Sequence, residues 1–500
     1  MKYFLISAAT LLFLSISCTK LDDEIFDNIP ANKYPENDIQ AKLMVVPTYG
    51  VLQYMLDDGN SNNGGCWWYA QEVTSDEMTA PTRKTDWDDG GKWRVLHQHT
   101  WDNNTEAINR MWALFYRGVV EANDVIEYLM PGVDNPDVAS AIAQMKTMRA
   151  YYYYLLIDNY GNVPYVTSFA DAPDMPVKET RLNIYNSLIE DMEENLPLIP
   201  IASNKKTTVG KGMAFSLLAK LYLNAEVYSG TAQWAKAEAY CDSIIDLGIY
   251  SLESDVLAPF VTANENSLEN IFTIPYDEDN FQNFNLHMRT LHYTSQLTYA
   301  MTLKPWNGFA AMEAHYYTYD TVNDKRIKYF LVGQQYDING IELHDDGAGG
   351  ELLIFDPHIP ALLMDASFTD VEVRMSGARI AKFEVKRGAS IHLSNDFPIF
   401  RYADILLMKA EAMIRQGKNG DSYVNEIRTR AGVNSLSGVD LDMLLEERGR
   451  EMFWEGHRRQ DLIRFGEYNK AWWEKDASST DRNVFPIPQW AIDANPNLGK

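Results

Sequence analysis

The sequence predicts a mainly α fold in which tetratricopeptide-like helical hairpins carry an irregular α+β insertion. Ala214, Leu217, Leu218, Leu221, Tyr222, Ala225 and Tyr228 recur at i, i+3, i+4, i+7, i+8, i+11 and i+14 and draw one apolar stripe. After Ser229-Gly230-Thr231, a second stripe of Trp234, Ala237, Cys241, Ile244 and Ile245 runs to Gly248, a residue suited to ending a helix. The pair reads as an antiparallel αα-hairpin with Cys241 on its buried face, and small alanines beside large rings let the helices approach as tetratricopeptide units do. Helical spacing returns at 38–57, 104–130, 138–160, 181–196, 401–416, 421–431 and 440–469, on both sides of a non-helical stretch from about 250 to 400.

The chain opens on Met1-Lys2-Tyr3 and an apolar run from Phe4 to Ile16. Crossing a bilayer takes about 20 residues, so this run is too short to span and reads as the heart of an export signal. Ser17 sets a small residue before Cys18, and the junction resembles a lipobox, with Leu14 one place earlier than usual and Ser15 in the customary leucine position. Residues 1–17 are therefore expected to be a lipoprotein signal peptide and Cys18 the lipidated anchor. Thr19-Lys20-Leu21-Asp22-Asp23-Glu24 begins an acidic tether over 18–37.

Residues 38–500 are expected to form one domain, since helical architectures reach this size without a boundary. Its parts are a helical region at 38–250 with an aromatic loop at 66–101, an irregular insertion at 251–396, and a C-terminal helical region at 397–500. In the insertion Asp345-Asp346-Gly347-Ala348-Gly349-Gly350 marks turns, and short strands are expected at 271–274, 352–355 and 380–386. So long a stretch with little regular structure is usually functional. Apolar residues at 46% and aromatics at 12% supply a large core and leave rings over for a surface.

Charge and motifs narrow the function classes. A net charge of -26 opposes nucleic acid and anionic membrane surfaces as partners. Cys18, Cys66 and Cys241 lie too far apart for a paired metal motif or a disulfide framework. No HExxH helix, G-x-S-x-G elbow or phosphate loop occurs, so no catalytic residue, cofactor or metal is expected; calcium stays open, but without EF-hand spacing. Glu447 with Arg450, and Glu455 with Arg458 or Arg459, are spaced as helical ion pairs, and Arg401 with Asp404 reads as capping and packing. His97 and His99 alternate without a third ligand and read as surface residues. A surface glycosidase is the enzymatic alternative, because sequence alone does not exclude two carboxylates set across a cleft.

The C-terminal third carries an ordered set of motifs. Asp396-Phe397-Pro398-Ile399-Phe400-Arg401-Tyr402-Ala403-Asp404-Ile405-Leu406-Leu407 is followed by Val424-Asn425-Glu426-Ile427-Arg428-Thr429-Arg430-Ala431-Gly432. Glu455-Gly456-His457-Arg458-Arg459-Gln460-Asp461-Leu462 and Phe485-Pro486-Ile487-Pro488 come next. Upstream stand Arg149-Ala150-Tyr151-Tyr152-Tyr153-Tyr154, Tyr160-Gly161-Asn162-Val163-Pro164 and Trp306-Asn307-Gly308-Phe309. Together these resemble the SusD/RagB-like outer-membrane nutrient-binding lipoproteins across nearly the whole mature chain. The resemblance implies a SusD-like fold, a cell-surface position on the outer membrane through the lipid anchor, and a role as the lid of a TonB-dependent SusC-like transporter. It leaves the ligand open, since some such proteins bind glycans and others peptides.

Ligand contacts are expected in two segments. Five of the twelve tryptophans fall between Trp67 and Trp101, interleaved with acids, Arg83 and glycines. A sugar offers an apolar C–H face and a polar hydroxyl rim, so its site pairs aromatic platforms with charged and amide side chains. The expected glycan contacts are Trp67, Trp68, Asp76, Arg83, Trp87, Asp88, Trp93, Tyr293 and Trp306. Trp87, Trp93 and Trp306 lead as platforms, the last from a second aromatic loop at 284–317 that also holds Tyr299, Tyr316 and Tyr317.

Overall fold

A computed structural model of the protein describes residues 43–57, 64–170, 172–201 and 206–500; the signal peptide, Cys18 and the acidic tether lie outside them. Helices α1 (Glu106–Leu129) and α2 (Pro136–Tyr160) form the longest hairpin, and α3 (Arg181–Asn195) packs against α2. Pro136 opens α2 where its missing N–H costs nothing, and Asn135 caps it by accepting from the Asp137 amide. From Thr147 to Tyr160 α2 is buried all round, so Tyr151, Tyr152, Tyr153 and Tyr154 all enter the core. The hydroxyls of two of them donate there: Tyr152 to the Thr48 carbonyl at 2.7 Å and Tyr153 to the Val166 carbonyl at 2.8 Å.

The hairpin marked by the two stripes is present as α4 (Lys211–Leu223) and α5 (Trp234–Asp246), with Cys241 wholly enclosed. Its first helix ends sooner than the stripe suggests. Asn224 leaves helical geometry, and a separate short helix, Ala225–Ser229, carries Tyr228. Helix α6 (Tyr402–Arg415) packs on α5, and α7 (Asp421–Ala431) and α8 (Leu441–Met452) pack on α6. Among the described residues no helix is long and apolar enough to cross a membrane.

The single helix expected over 440–469 is two, because α8 stops at Met452 and α9 spans Arg458–Phe465. Trp454 and Gly456 take φ of 68° and 78° in the gap. Tertiary contacts outweigh helical propensity here: the Gly456 amide donates to Glu72 Oε1 at 2.6 Å, and Trp68 Nε1 donates to the Trp454 carbonyl at 3.2 Å.

The charges around this break form a buried web rather than a surface ladder. Glu447 does pair with Arg450 at 2.8 Å, but Glu455 binds Lys382 at 2.6 Å and Arg401 at 2.7 Å, while Arg458 reaches Asp76 at 2.7 Å. Asp404, expected as a cap, is fully buried between Arg448 at 2.9 Å and Lys220 at 3.3 Å. Removing one member of such a pair leaves an uncompensated charge and costs about 3–5 kcal/mol.

The insertion is stitched to the helices by β1 (Asn270–Ile274), antiparallel to β2 (Phe397–Arg401) with register shifts around Phe400. The expected strand at 352–355 splits into Glu351–Leu352 and Ile354–Phe355, which pair with different neighbours. That at 380–386 reduces to Arg379–Ile380, because Lys382 turns wholly inward to Glu455 and the carbonyls of Glu451 and Phe453. His97 and His99, expected at the surface, are buried: Nε2 of His97 meets the Trp473 carbonyl at 2.8 Å and Nε2 of His99 the Thr74 carbonyl at 2.9 Å. Burial pulls their imidazoles down to about 4 and about 2.

Candidate ligand pocket

The aromatic segment is core at one end and pocket at the other. The short helix Trp67–Glu72 is entirely buried. Trp68 is enclosed by Trp454, Tyr69 and Phe309, with ring centroids 4.5, 5.1 and 6.0 Å away, and Trp67 stands edge-on to Phe397 at 6.4 Å. Asp86 to Gly91 then form a tight loop in which Trp87 has φ of 58°, a conformation that costs a bulky residue about 1–3 kcal/mol. Two contacts hold it: Trp87 Nε1 donates to the Trp306 carbonyl at 2.6 Å, and its indole lies across Gly308, where a Cβ would stand 2.1 Å from the ring. The aromatic loop and the 284–317 loop are thereby locked together.

Asp86, Trp87, Asp89, Lys92, Arg289, Tyr293 and Trp306 line an open pocket of about 320 Å³ where the two loops meet. Its rings are held from behind by charge. The Arg289 guanidinium lies 5.0 Å from the Trp306 ring and 5.0 Å from that of Tyr69, and Arg374 lies 4.7 Å from the Tyr293 ring. Arg374 is itself gripped by Asp345, its Nη2 donating to Oδ1 at 2.8 Å, and His292 adds a second contact to that carboxylate at 3.2 Å. Burial works against ionisation of Asp345, yet the hydrogen bonds from His292 and Arg374 hold its carboxyl well below the usual carboxylate range. Tyr293 donates its hydroxyl to Asp86 Oδ2, and burial together with that carboxylate raises the phenol. Asp89 Oδ2 accepts from Trp93 Nε1 at 2.7 Å.

Three of the expected contacts, Trp87, Tyr293 and Trp306, thus come together. The others are placed elsewhere. Trp93 supports the pocket from beneath, 5.9 Å from Trp87 and 5.1 Å from Phe309, and Asp88 turns to Arg94 at 2.6 Å. Arg83 is buried, donating to the carbonyls of Gly308 and Ser376 at 3.3 and 3.2 Å. Asp76 pairs with Arg458, and Trp67 and Trp68 offer no open ring face, being needed in the core. Lys92 and Arg289 belong to the pocket without having been expected; only their position beside aromatic residues in the two loops hinted at it. Among the described residues no three His, Cys, Asp or Glu side chains gather as a metal site.

A scaffold of helical hairpins whose irregular loops close around a small aromatic pocket defines a ligand-binding protein in architecture. Family models match twice: one described as the SusD family over residues 365–500, another described as starch-binding associating with outer membrane over 51–223. Over both stretches the chain is similar to the SusD/RagB-like family. Starch-binding protein SusD of Bacteroides thetaiotaomicron is 22% identical over 546 residues, covering 99% of this chain and 98% of that protein. Among solved structures, surface glycan-binding protein A from the same organism, in complex with laminarihexaose, shares the fold with a TM-score of 0.72 at 23% identity, over 92% of this chain and 98% of the other. A SusD superfamily protein from Parabacteroides distasonis superposes with a TM-score of 0.75 at 19% identity, over 94% and 98% of the two chains.

Proposed function

We propose that this protein is a cell-surface lipoprotein, anchored through Cys18 in the outer membrane, that binds oligosaccharide or polysaccharide and delivers it to a TonB-dependent SusC-like transporter. Residues 38–500 act as one binding domain, and no bond of the ligand is cleaved. The observation that carries the reading is the convergence of Trp87, Tyr293 and Trp306 from two distant loops around one pocket rimmed by Asp86, Asp89 and Lys92. Both rim carboxylates already accept hydrogen bonds from aromatic neighbours, which suits fixed hydroxyl recognition better than proton transfer. The names of the relatives, starch-binding and glycan-binding, point to the same ligand class.

Affinity electrophoresis across a panel of neutral polysaccharides tests this. At least one is expected to retard the mature protein, and Trp306→Ala, which removes a partly exposed ring, is expected to weaken that binding about tenfold, or about 1.4 kcal/mol. Retardation by none of them or the release of new reducing ends defeats the proposal, and an unchanged Trp306→Ala removes this pocket as the binding site.

A further inference from the structure

A second aromatic pocket lies at the far end of the segment that bears Trp306. From Trp306 the backbone runs through Ala310–Ala311, antiparallel to Met78–Thr79, into the short helix Glu313–Tyr316. There Met312, Glu313, Tyr317, Ile359 and Trp473 line an open pocket of about 320 Å³, matching the first in size. Tyr317 is 60% exposed, its ring edge-on to that of buried Tyr316 at 5.1 Å. Exposure on that scale leaves a face of the ring to solvent, as a stacking platform requires.

Trp473 is fixed from behind. Buried His97 meets its carbonyl through Nε2 and stands edge-on to its indole at 5.7 Å, so the ring is presented by a rigid neighbour. Glu313, which lines the pocket, has its Oε2 2.8 Å from Nδ1 of neighbouring His358, both side chains about half exposed. Two rings over an apolar floor of Met312 and Ile359, with the Glu313 carboxylate at the rim, repeat the chemistry of the first pocket: apolar faces for C–H surfaces, a polar group for hydroxyls. No lysine or arginine lines it, and the net charge of -26 opposes an anionic ligand.

We propose that this pocket is a second contact site for a neutral glycan chain, with Tyr317 and Trp473 as its platforms. The ligand class rests on the glycan-binding reading above. Trp306 and Met312 are six residues apart, at most about 22 Å of extended backbone, short enough for one polysaccharide to touch both pockets while a short oligosaccharide fills one. Joining two weak contacts along one chain raises affinity by effective concentration without any new contact at either site.

The test uses the polysaccharides that retard the wild type and the hexasaccharide released from each. Tyr317→Ala combined with Trp473→Ala is expected to weaken polysaccharide binding about fivefold or more and to leave calorimetric affinity for the hexasaccharide within about twofold. Tyr317→Ala alone, at a position too exposed to unfold the protein, is expected to weaken polysaccharide binding about twofold. Unchanged retardation in both variants overturns the second site while leaving the first intact. Loss in these variants but none in Trp306→Ala overturns the first pocket and keeps the second. A wild type that binds no polysaccharide overturns both.

Discussion

Glu72 shows how a single buried residue sets a pH response. Its Oε1 accepts the Gly456 amide in the gap between α8 and α9, while Oε2 has no hydrogen-bond partner. Burial pushes the carboxyl up to about 8, more strongly than Lys382 and Arg458 hold it down. Between the ordinary value of 4.5 and about 8 the folded protein keeps a proton that the unfolded chain releases, so this group makes stability fall as pH rises through that window. Glu72→Gln keeps an acceptor for Gly456 and needs no proton. It is expected to be more stable than the wild type at pH 8 by on the order of 2 kcal/mol and nearly equal at pH 5, read from thermal melts at both. Equal melting differences at the two pH values would contradict the assignment. At this scale the sequence tells less than it does about rings: the density of tryptophan marked the loop, but nothing in the spacing separated Trp68, enclosed by Trp454, from Trp87, which is also buried yet lines the pocket over Gly308. Nor could spacing pair Arg458 with Asp76, 382 positions away.

Elements show the same division between local pattern and long-range contact. The α4–α5 hairpin follows from apolar periodicity, a property written in neighbouring residues: α5 buries one stripe against α4, while α4 is buried on nearly every face and also packs on α3, α6 and β1. The break between α8 and α9 is imposed from outside by Trp68 and Glu72, and no local signal except Gly456 announces it. The pocket too depends on one element's entry. Gly308 starts the run into Ala310–Ala311, and a methyl group there would lie 2.1 Å from the Trp87 indole, so the ring must shift by more than an ångström and give up its bond to the Trp306 carbonyl. Overpacking of this kind costs about 1–3 kcal/mol. Gly308→Ala is expected to lower the melting temperature modestly, keep the helical circular dichroism, and weaken glycan binding at least as much as Trp306→Ala does. Wild-type affinity in that variant would mean that the pocket tolerates displacement of Trp87.

For the whole molecule, the buried imidazoles decide how acid acts. Burial lowers His97, His287, His292 and His457 to about 4, His315 to about 3 and His99 to about 2. Each is neutral in the folded protein down to its lowered value, yet takes up a proton below about 6.5 once unfolded, so the stability these groups allow is present above 6.5 and is lost as pH falls towards 4. Glu72 and Glu77, both raised chiefly by burial, act in the opposite direction over part of the same range. Seven lowered imidazoles, His392 among them, against four raised carboxyls, with Asp396 and Glu426 beside the two glutamates, leave a net uptake on unfolding of about three protons near pH 5.5, so the histidines prevail. The buried acids add to the loss at lower pH: burial opposes the charge on Glu447, but Arg326 and Arg450 hold it at about 2, so its contribution disappears between about 4.5 and 2. The melting temperature is therefore expected to fall from pH 6.5 to 4.5, and calorimetric unfolding near pH 5.5 in buffers of different ionisation enthalpy should register about three protons bound. A melting temperature that stays level or rises over that interval would mean that the imidazoles gain charge partners inside the fold. Replacing His97 by Gln, which keeps a donor for the Trp473 carbonyl, should flatten the slope by about one proton and identify the share carried by that one ring.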